Sequence, residues 1–569
     1  MTLFLPFCHA FDAFDDVETN GSGPRVLRPC RVSTSIFYQA IRSQKKAMVL
    51  FPSLCLVLAT GAIATGVLTD SHTISETCEV IAAAVSSASA VHYSGPSYEE
   101  GIRHWASSST ERARCSFEPG TPSDVVIALQ ILGKNRVPFA VKGGGHTLNP
   151  GFSSTTGVQI VMSRFSEIVY DPESRTVTVG AGVIWDDVYA ALEPHGVNVV
   201  GGRVSGIGVA GFTLGGGYSW LTNQYGLALD NVESFELVLP DGAVIDVTES
   251  SHPDLFFGLR GGYDNFGIVT KFILKTHPQG QIWGGVIIYP EASVNQVIRA
   301  TANFSANNSD PKAQVIMTTN YAAGNHLLVT ILFYDNPDPA PGVFDTFLDI
   351  PALIRDIKTR SFLSLVLATS SWPETDSLPL ATGVELLPQG LVVEELSSFQ
   401  SSEAAPVNAT LSLRGIFATV TVTEFSADLI EAAINESIHW GQTLLPFSGV
   451  FISYDFSPVM PAALGHSSTP SAWPPTHKDV VMPIVLYFAW ISELSDGMMH
   501  DGVRQSASAL LDKADSLGQD VKDAPLYSNC ALFDTPLERM YGNNVERLRK
   551  IKNHVDPYNV MNLAGGFKF

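Results

Sequence analysis

Basic charge is scarce in this chain: 34 Lys and Arg stand against 56 Asp and Glu over 569 residues, a formal charge of −22. Such a balance repels phosphate backbones and anionic membrane surfaces, so nucleic acid is not an expected partner. Charge of either sign is thin, at 16%, while 45% of residues are hydrophobic, enough for a sizeable core and more than one lobe. Neither an internal repeat nor a low-complexity tract is present, and no residue set is assigned to a metal. Cysteine is sparse too: Cys8, Cys30 and Cys55 lie ahead of residue 69, and Cys78, Cys115 and Cys530 remain.

One apolar run, Ala47 to Leu68, follows Arg42, Lys45 and Lys46 and ends in small residues. That is the order of a secretory signal. Because Met48 stands at its head, residues 1–47 are expected to be an upstream extension and residues 48–66 the signal-like segment. A membrane anchor is the competing reading, since the run approaches spanning length. Pro52 and the Gly and Thr breaks favour cleavage, leaving a secreted chain with no stable membrane insertion. In such oxidising surroundings Cys78 can pair with Cys115, leaving Cys530 as a buried thiol. Sequons at Asn303, Asn307, Asn408 and Asn435 fit the same compartment.

From residue 122 the pattern turns regular. Ser123 is placed to cap a helix whose Val125, Ala128, Leu129 and Leu132 recur at helical spacing, with Gly133 to end it. A strand at 137–141 runs into GGGH; strands at 158–162 and 176–179 and a helix at 185–192 follow. Beyond about residue 279 come β-prone runs, 282–289 and 314–320, interleaved with helical stretches such as 427–440. This points to an antiparallel sheet with flanking helices. The Pro/Ser-rich stretches 370–379 and 467–475 read as surface or active-site loops. Near the end a helix carries Val545, Leu548 and Ile551 ahead of a glycine-containing tail.

Three glycine clusters share one segment: Gly143 to Gly145, the run from Gly201 to Gly211, and Gly215 to Gly217. Glycine has no Cβ to block a ligand and tolerates positive φ, so successive amides can converge on a pyrophosphate. Gly206, Gly208 and Gly211 also spell G-x-G-x-x-G, with Asp230 downstream as a candidate ribose contact. That fingerprint should follow the first strand of a βαβ unit and open a helix, whereas FTLGGGYS follows here, so a dinucleotide-dehydrogenase reading is rejected.

Longer motifs agree with one family. VKGGGHTLNPGFSS (141–154), GGRVSGIGVAGFTLGGGYSWLTNQYGLALDNV (201–232) and DLFFGLRGGYDNFGIVT (254–270) resemble the PCMH-type FAD-binding domain of the vanillyl-alcohol-oxidase superfamily. YGNNVERLRKIKNHVDPYNVMN (541–562) resembles the berberine-bridge-enzyme segment, and fungal FAD-linked oxidoreductases are the most similar group. The resemblance implies an α+β fold: an N-terminal segment (67–116), a two-subdomain FAD-binding domain (117–278), a substrate domain with an antiparallel sheet and flanking helices (279–525), and a C-terminal segment (526–569) returning to the FAD domain. By position it implies that His146 bonds the flavin 8α carbon. Further cofactor contacts fall on Gly143, Gly144, Gly145, Thr147, Ser205, Gly206, Ile207, Gly208, Gly211, Gly216, Gly217, Asn231, Val269 and Asn562. Relatives with two flavin bonds carry a cysteine where Val204 stands, and valine cannot form that thioether.

The expected activity is oxidation of a small organic substrate by hydride transfer to FAD, with reoxidation by dioxygen to hydrogen peroxide. Tyr527, in YSNC, falls on the family's active-site tyrosine and is the candidate catalytic residue, while Cys530 departs from the last position of that pattern. A free tyrosine titrates near 10, so Tyr527 acts as a base only if the site stabilises its phenolate. Tyr454, Asp455, His466 and His477 are further polar candidates. Ile207 falls where the family gates oxygen, which keeps a dehydrogenase with another acceptor open. Carbohydrate oxidation and a non-catalytic FAD-binding scaffold stay open beside it.

Overall fold

The computed structural model describes residues 73–322, 324–370, 413–467, 469–476 and 482–569. The upstream extension, the signal-like segment, residues 371–379, the Asn408 sequon and His477 lie outside the described residues. Among those described, no helix is long and apolar enough to cross a membrane.

The fold is α+β, built on three main sheets. In the first, of four strands, Cys115–Glu118 and Phe139–Lys142 flank Val158–Val161 in parallel, and Ala90–His92 adds an antiparallel edge. The Cys78–Cys115 disulfide forms, tying the helix at 73–84 to this sheet. The helix Pro122–Asn135 differs from expectation at both ends. Its cap is Thr121, whose side chain accepts from the Asp124 amide, and it runs past Gly133 to stop at Arg136 in the left-handed region. Gly133 answers to packing instead, since a Cβ there would meet Val560 at 2.9 Å.

The second sheet is antiparallel, in the order Ile168–Asp171, Thr176–Gly180, Ile268–Lys275, Val232–Val238, Val244–Val247. The third has seven antiparallel strands, with Ala313–Ala322, Gly449–Phe456, Met482–Trp490 and Arg414–Val422 forming one consecutive half. Alternation along a strand sends its two side-chain sets to opposite faces. One face packs on the helices Ala427–Leu444 and Asp496–Ser516: Tyr454 meets Ser506 at 2.7 Å, and Thr319 meets Ser437 at 3.0 Å. Tyr454 is therefore a core residue. The opposite face carries Phe417, Tyr487, Ser453 and Asn320 in one cross-strand row and Thr419, Val485, Asp455 and Thr318 in the next.

The C-terminal residues close back on the first lobes. Ala564 bridges Phe139 in parallel, and the Asn265 amide donates to the Phe567 carbonyl at 2.8 Å. Continuous buried core runs through all three sheets.

Candidate active site

The cofactor cradle is made of backbone. Strand Phe139–Lys142 ends in Gly143–Gly144–Gly145, and the loop 201–208 crosses it so closely that a Cβ on Gly144 would lie 2.6 Å from the backbone of Gly208. Gly145 and Gly206 adopt φ of +68° and +82°, and Gly206 and Gly211 open onto space with no atom within 4 Å of a built Cβ. Among the described residues the amides of Gly144, Gly145 and His146 donate to no protein acceptor. Partly buried N–H groups without partners are rare unless a ligand supplies the acceptor, and clustered amides suit a pyrophosphate. The residues present therefore fit FAD.

The loop is braced from below: Asp186 accepts from the Ser205 hydroxyl at 2.5 Å and the Gly206 amide at 3.1 Å. The helix Val209–Leu214 opens directly after Gly208, so the sequence argument that no helix follows the G-x-G-x-x-G string was mistaken. The dinucleotide-dehydrogenase reading still fails. The strand before the string, Val197–Asn198, is a two-residue antiparallel pair, and Asp230 is committed to a buried ion pair with Arg260 at 2.8 Å.

His146 lies half-buried at this loop, its ring stacked on Trp105 with centroids 4.5 Å apart. Burial drives its pKa down to about 4, so the imidazole is neutral and keeps a free lone pair. Trp105 in turn contacts Phe417 and Tyr487 on the open face of the third sheet. That face roofs the cleft. Its aromatic end stands over His146, and its polar end begins at Asp455, two residues along the strand from Ser453.

At the polar end Tyr527, Cys530, Asp455, Arg203 and Tyr218 influence one another's charge. Burial lifts Asp455 to about 6, against the opposing pull of the Ser453 hydroxyl and Arg203. Cys530 is pushed up to about 12, by burial and then by Asp455. It is half-buried and packed against the main core, less enclosed than the buried thiol expected. Tyr527 is raised above the usual phenol value by burial and by Cys530, while the Asn529 amide, 3.0 Å from its hydroxyl, Arg203 and the Tyr218 backbone pull the other way. Burial wins, so Tyr527 is a phenol at neutral pH and Asp455 is the group that can hold a proton reversibly there.

Tyr527 is fixed by its surroundings. Ser528 donates to the Gly215 carbonyl at 2.9 Å, Asn529 to the Phe212 carbonyl at 3.1 Å, and Asn149 to the Ala531 carbonyl at 2.8 Å. Trp473 packs on the Tyr527 ring with centroids 5.2 Å apart, and both fill the space above Gly216. The 467–475 loop thus belongs to the site, held by Arg260 through the Thr469 and Pro470 carbonyls.

Not every expected residue reaches the cradle. Thr147 and Ile207 are half-buried along it, and Val204 is 39% exposed in the crossing loop. Gly217 faces Phe212 and Ala228, and Val269 is buried in its strand. Asn231 is spent on the fold: its amide donates to the Tyr225 and Leu227 carbonyls, and its carbonyl meets His277 at 2.8 Å. Asn562 is exposed, with its carbonyl taken by Lys552. His466 bonds the Asn223 carbonyl, outside the polar cluster. Trp105 and Arg203 were missed by sequence reasoning. Arg203 carried a signal, a lone cation between Gly202 and Val204 in an acidic chain; Trp105 carried none.

An amide-rich cradle that fits FAD, beneath a roof whose Asp455 carboxyl can take up a proton, is the arrangement of a flavin-dependent oxidoreductase. Residues 113–248 match the FAD binding domain model, and residues 526–566 match the model for berberine and berberine-like proteins. An uncharacterised FAD-linked oxidoreductase of Arthroderma benhamiae is 38% identical over 279 residues, 48% of this chain and 55% of that protein, so the chain spans about half the length of this relative. The FAD-dependent monooxygenase yanF of Aspergillus niger is 30% identical over 407 residues, 64% of this chain and 69% of that protein. In fold, the glucooligosaccharide oxidase of Acremonium strictum, studied for its 6-S-cysteinyl, 8α-N1-histidyl FAD, superposes with a TM-score of 0.64 at 18% identity, covering 85% of this chain and 97% of that one. The chain belongs to the berberine-like family of FAD-linked oxidoreductases.

Proposed function

We propose that this chain is a secreted oxidase that holds FAD through one covalent bond, to His146, and oxidises a small organic metabolite with an aromatic or polyketide-like body. The observation that carries the reading is a two-ended cleft: the roof residues Phe417 and Tyr487 with Trp105 at the His146 end, and the roof residue Asp455 with Arg203, Cys530 and Tyr527 at the other. An apolar ring stacks on the first end while the group to be oxidised reaches the second. When bound, FAD supplies the two-electron acceptor at N5. Arg203 favours the ionised carboxylate of Asp455 before the reaction, Asp455 becomes neutral on accepting the proton released from the substrate, and Tyr527 donates a hydrogen bond that orients the substrate. Cytosolic thiols would threaten the Cys78–Cys115 disulfide, which together with exposed Asn303, Asn307 and Asn435 supports export and glycosylation. Dioxygen is the proposed terminal acceptor, with hydrogen peroxide the product.

The test is acid precipitation followed by anaerobic mixing with a panel of aromatic alcohols, polyketides and oligosaccharides. Expected are a yellow pellet, one flavin-bearing peptide containing His146, and bleaching by the aromatic compounds. A colourless pellet overturns the covalent bond, and bleaching by oligosaccharides alone overturns the substrate class. Ile207 favours a second reading, a dehydrogenase with another acceptor; slow reoxidation in air beside rapid reoxidation by a quinone dye would establish it.

A further inference from the structure

The His146 imidazole hydrogen-bonds its own backbone and, among the described residues, no other side chain; the face of the ring is packed on Trp105, centroids 4.5 Å apart and planes within 13°. The indole is itself clamped. Phe417, nearly parallel at 6.3 Å, and Tyr487 at 5.4 Å, both on the roof, also pack on it. Its backbone amide donates to the Gly145 carbonyl at 3.0 Å, fixing it to the glycine loop one residue before His146. The turn that follows docks on the roof strand Arg414–Val422: the Ser107 amide donates to the Leu413 carbonyl at 2.9 Å, and the Ser108 hydroxyl both donates to the Gly415 carbonyl and accepts from its amide, each at 2.9 Å. Yet Trp105 is 47% exposed, an unusual state for a tryptophan whose only duty is to fill a core.

We propose that Trp105 is a positioning residue for flavin attachment, its indole holding the His146 imidazole in the orientation that bond formation needs. The inference rests on the covalent reading above. In the step itself a ring nitrogen of His146 gives its lone pair to the flavin 8α-methyl carbon. One proton is lost from that carbon and one from the imidazole, two electrons pass into the isoalloxazine ring, and dioxygen takes both, with two protons, as hydrogen peroxide. Such a step needs the reacting atoms aligned at roughly 3–3.5 Å. The outer torsion of a histidine is broad and one bond to its own backbone sets the ring plane only loosely, so a stacking partner narrows the orientations the imidazole samples. Desolvation supplies the neutral ring, and the stack supplies its direction.

Full-length W105F, W105L and W105A are compared with the unmodified protein. Total flavin is measured on the native protein, flavin in the acid pellet is measured separately, and attachment is timed after FAD is added to flavin-depleted protein. The unmodified protein and W105F should keep their flavin in the pellet. W105L and W105A should still bind FAD natively but attach it at least about tenfold more slowly. W105L keeps the bulk without the aromatic face, so it separates stacking from cavity filling. Attachment in W105L at the unmodified rate overturns the proposal, and so does folded W105L that binds no flavin at all, since Trp105 would then serve binding. Flavin wholly in the supernatant of the unmodified protein overturns the attachment reading beneath it, a result distinguishable from both.

Discussion

The cradle and the roof face each other across one cleft but are built from different materials. The cradle uses backbone: amides without protein acceptors among the described residues, and two loops touching at Gly144 and Gly208, with Asp186 bracing the loop from below. The roof uses side chains on a rigid antiparallel sheet, where Phe417, Tyr487 and Asp455 come from three strands. Backbone recognition suits a ligand that never changes and leaves little room for variation. Side chains on a sheet can be exchanged one at a time without moving the frame, which suits a surface that discriminates among ligands.

The largest expected effect tests the roof. Asp455→Asn should lower kcat by about 10²–10⁴-fold, the usual worth of a general base, while flavin content stays unchanged. The sign with pH follows from Asp455 being lifted to about 6: activity of the unmodified protein should rise as pH increases through about 6 and level off above it, and the variant should lose that limb. Stability moves the other way. A carboxyl that titrates at about 6 when folded and near 4 when unfolded costs stability as pH rises across that window, so Asp455→Asn should unfold harder at pH 7, by about 2–3 kcal/mol. A variant with a normal kcat would return the base role to Tyr527.

Next comes the cradle. A Cβ at Gly144 meets backbone that cannot yield, so Gly144→Ala should cost about 3 kcal/mol or prevent folding. At Gly211 the Cβ enters open space, so Gly211→Ala should melt with the unmodified protein yet retain less flavin. The pair is read by thermal unfolding beside flavin absorbance. If Gly144→Ala folds and fills with FAD normally, the cradle is not built by close backbone approach.

The same contrast explains what the sequence revealed. The cradle was legible because its chemistry is local: GGGH sits in consecutive positions, and the helix Trp185–Leu192 lies where its local sequence places it. The roof was not, because Asp455, Arg203 and Tyr527 meet only through sheet register and the return of the C-terminal segment, so Asp455 stood beside Tyr454 as an equal candidate until strand alternation sent them to opposite faces. Thr121 was overlooked as a cap because Ser123 has the same chemistry nearer the apolar run. The partners of Asn231 and Asn562 were also hidden from the sequence: position alone says nothing of an amide's bond to Leu227 or of a carbonyl's bond to Lys552.

The smallest effect concerns the seam between the two regions. Ile207 is half-buried in the crossing loop, its carbonyl holding the Trp185 amide at 3.0 Å and its Cβ 3.4 Å from where a side chain on Gly202 would begin. Its backbone belongs to the cradle, while its side chain projects among atoms that have little room to retreat. Ile207→Val removes one methyl without disturbing the carbonyl, at a stability cost of about 0.5–1.5 kcal/mol at most. If that methyl narrows the approach of dioxygen, reoxidation in air should quicken about threefold, roughly 0.7 kcal/mol of barrier, with the substrate-reduction rate unchanged. Stopped-flow mixing of anaerobically reduced protein with aerated buffer measures the first rate, and anaerobic bleaching the second. A quickening of both would mean that the substitution loosened the loop rather than opened a path. Equal reoxidation rates would mean that oxygen arrives elsewhere and that Ile207 serves the cradle through its backbone alone.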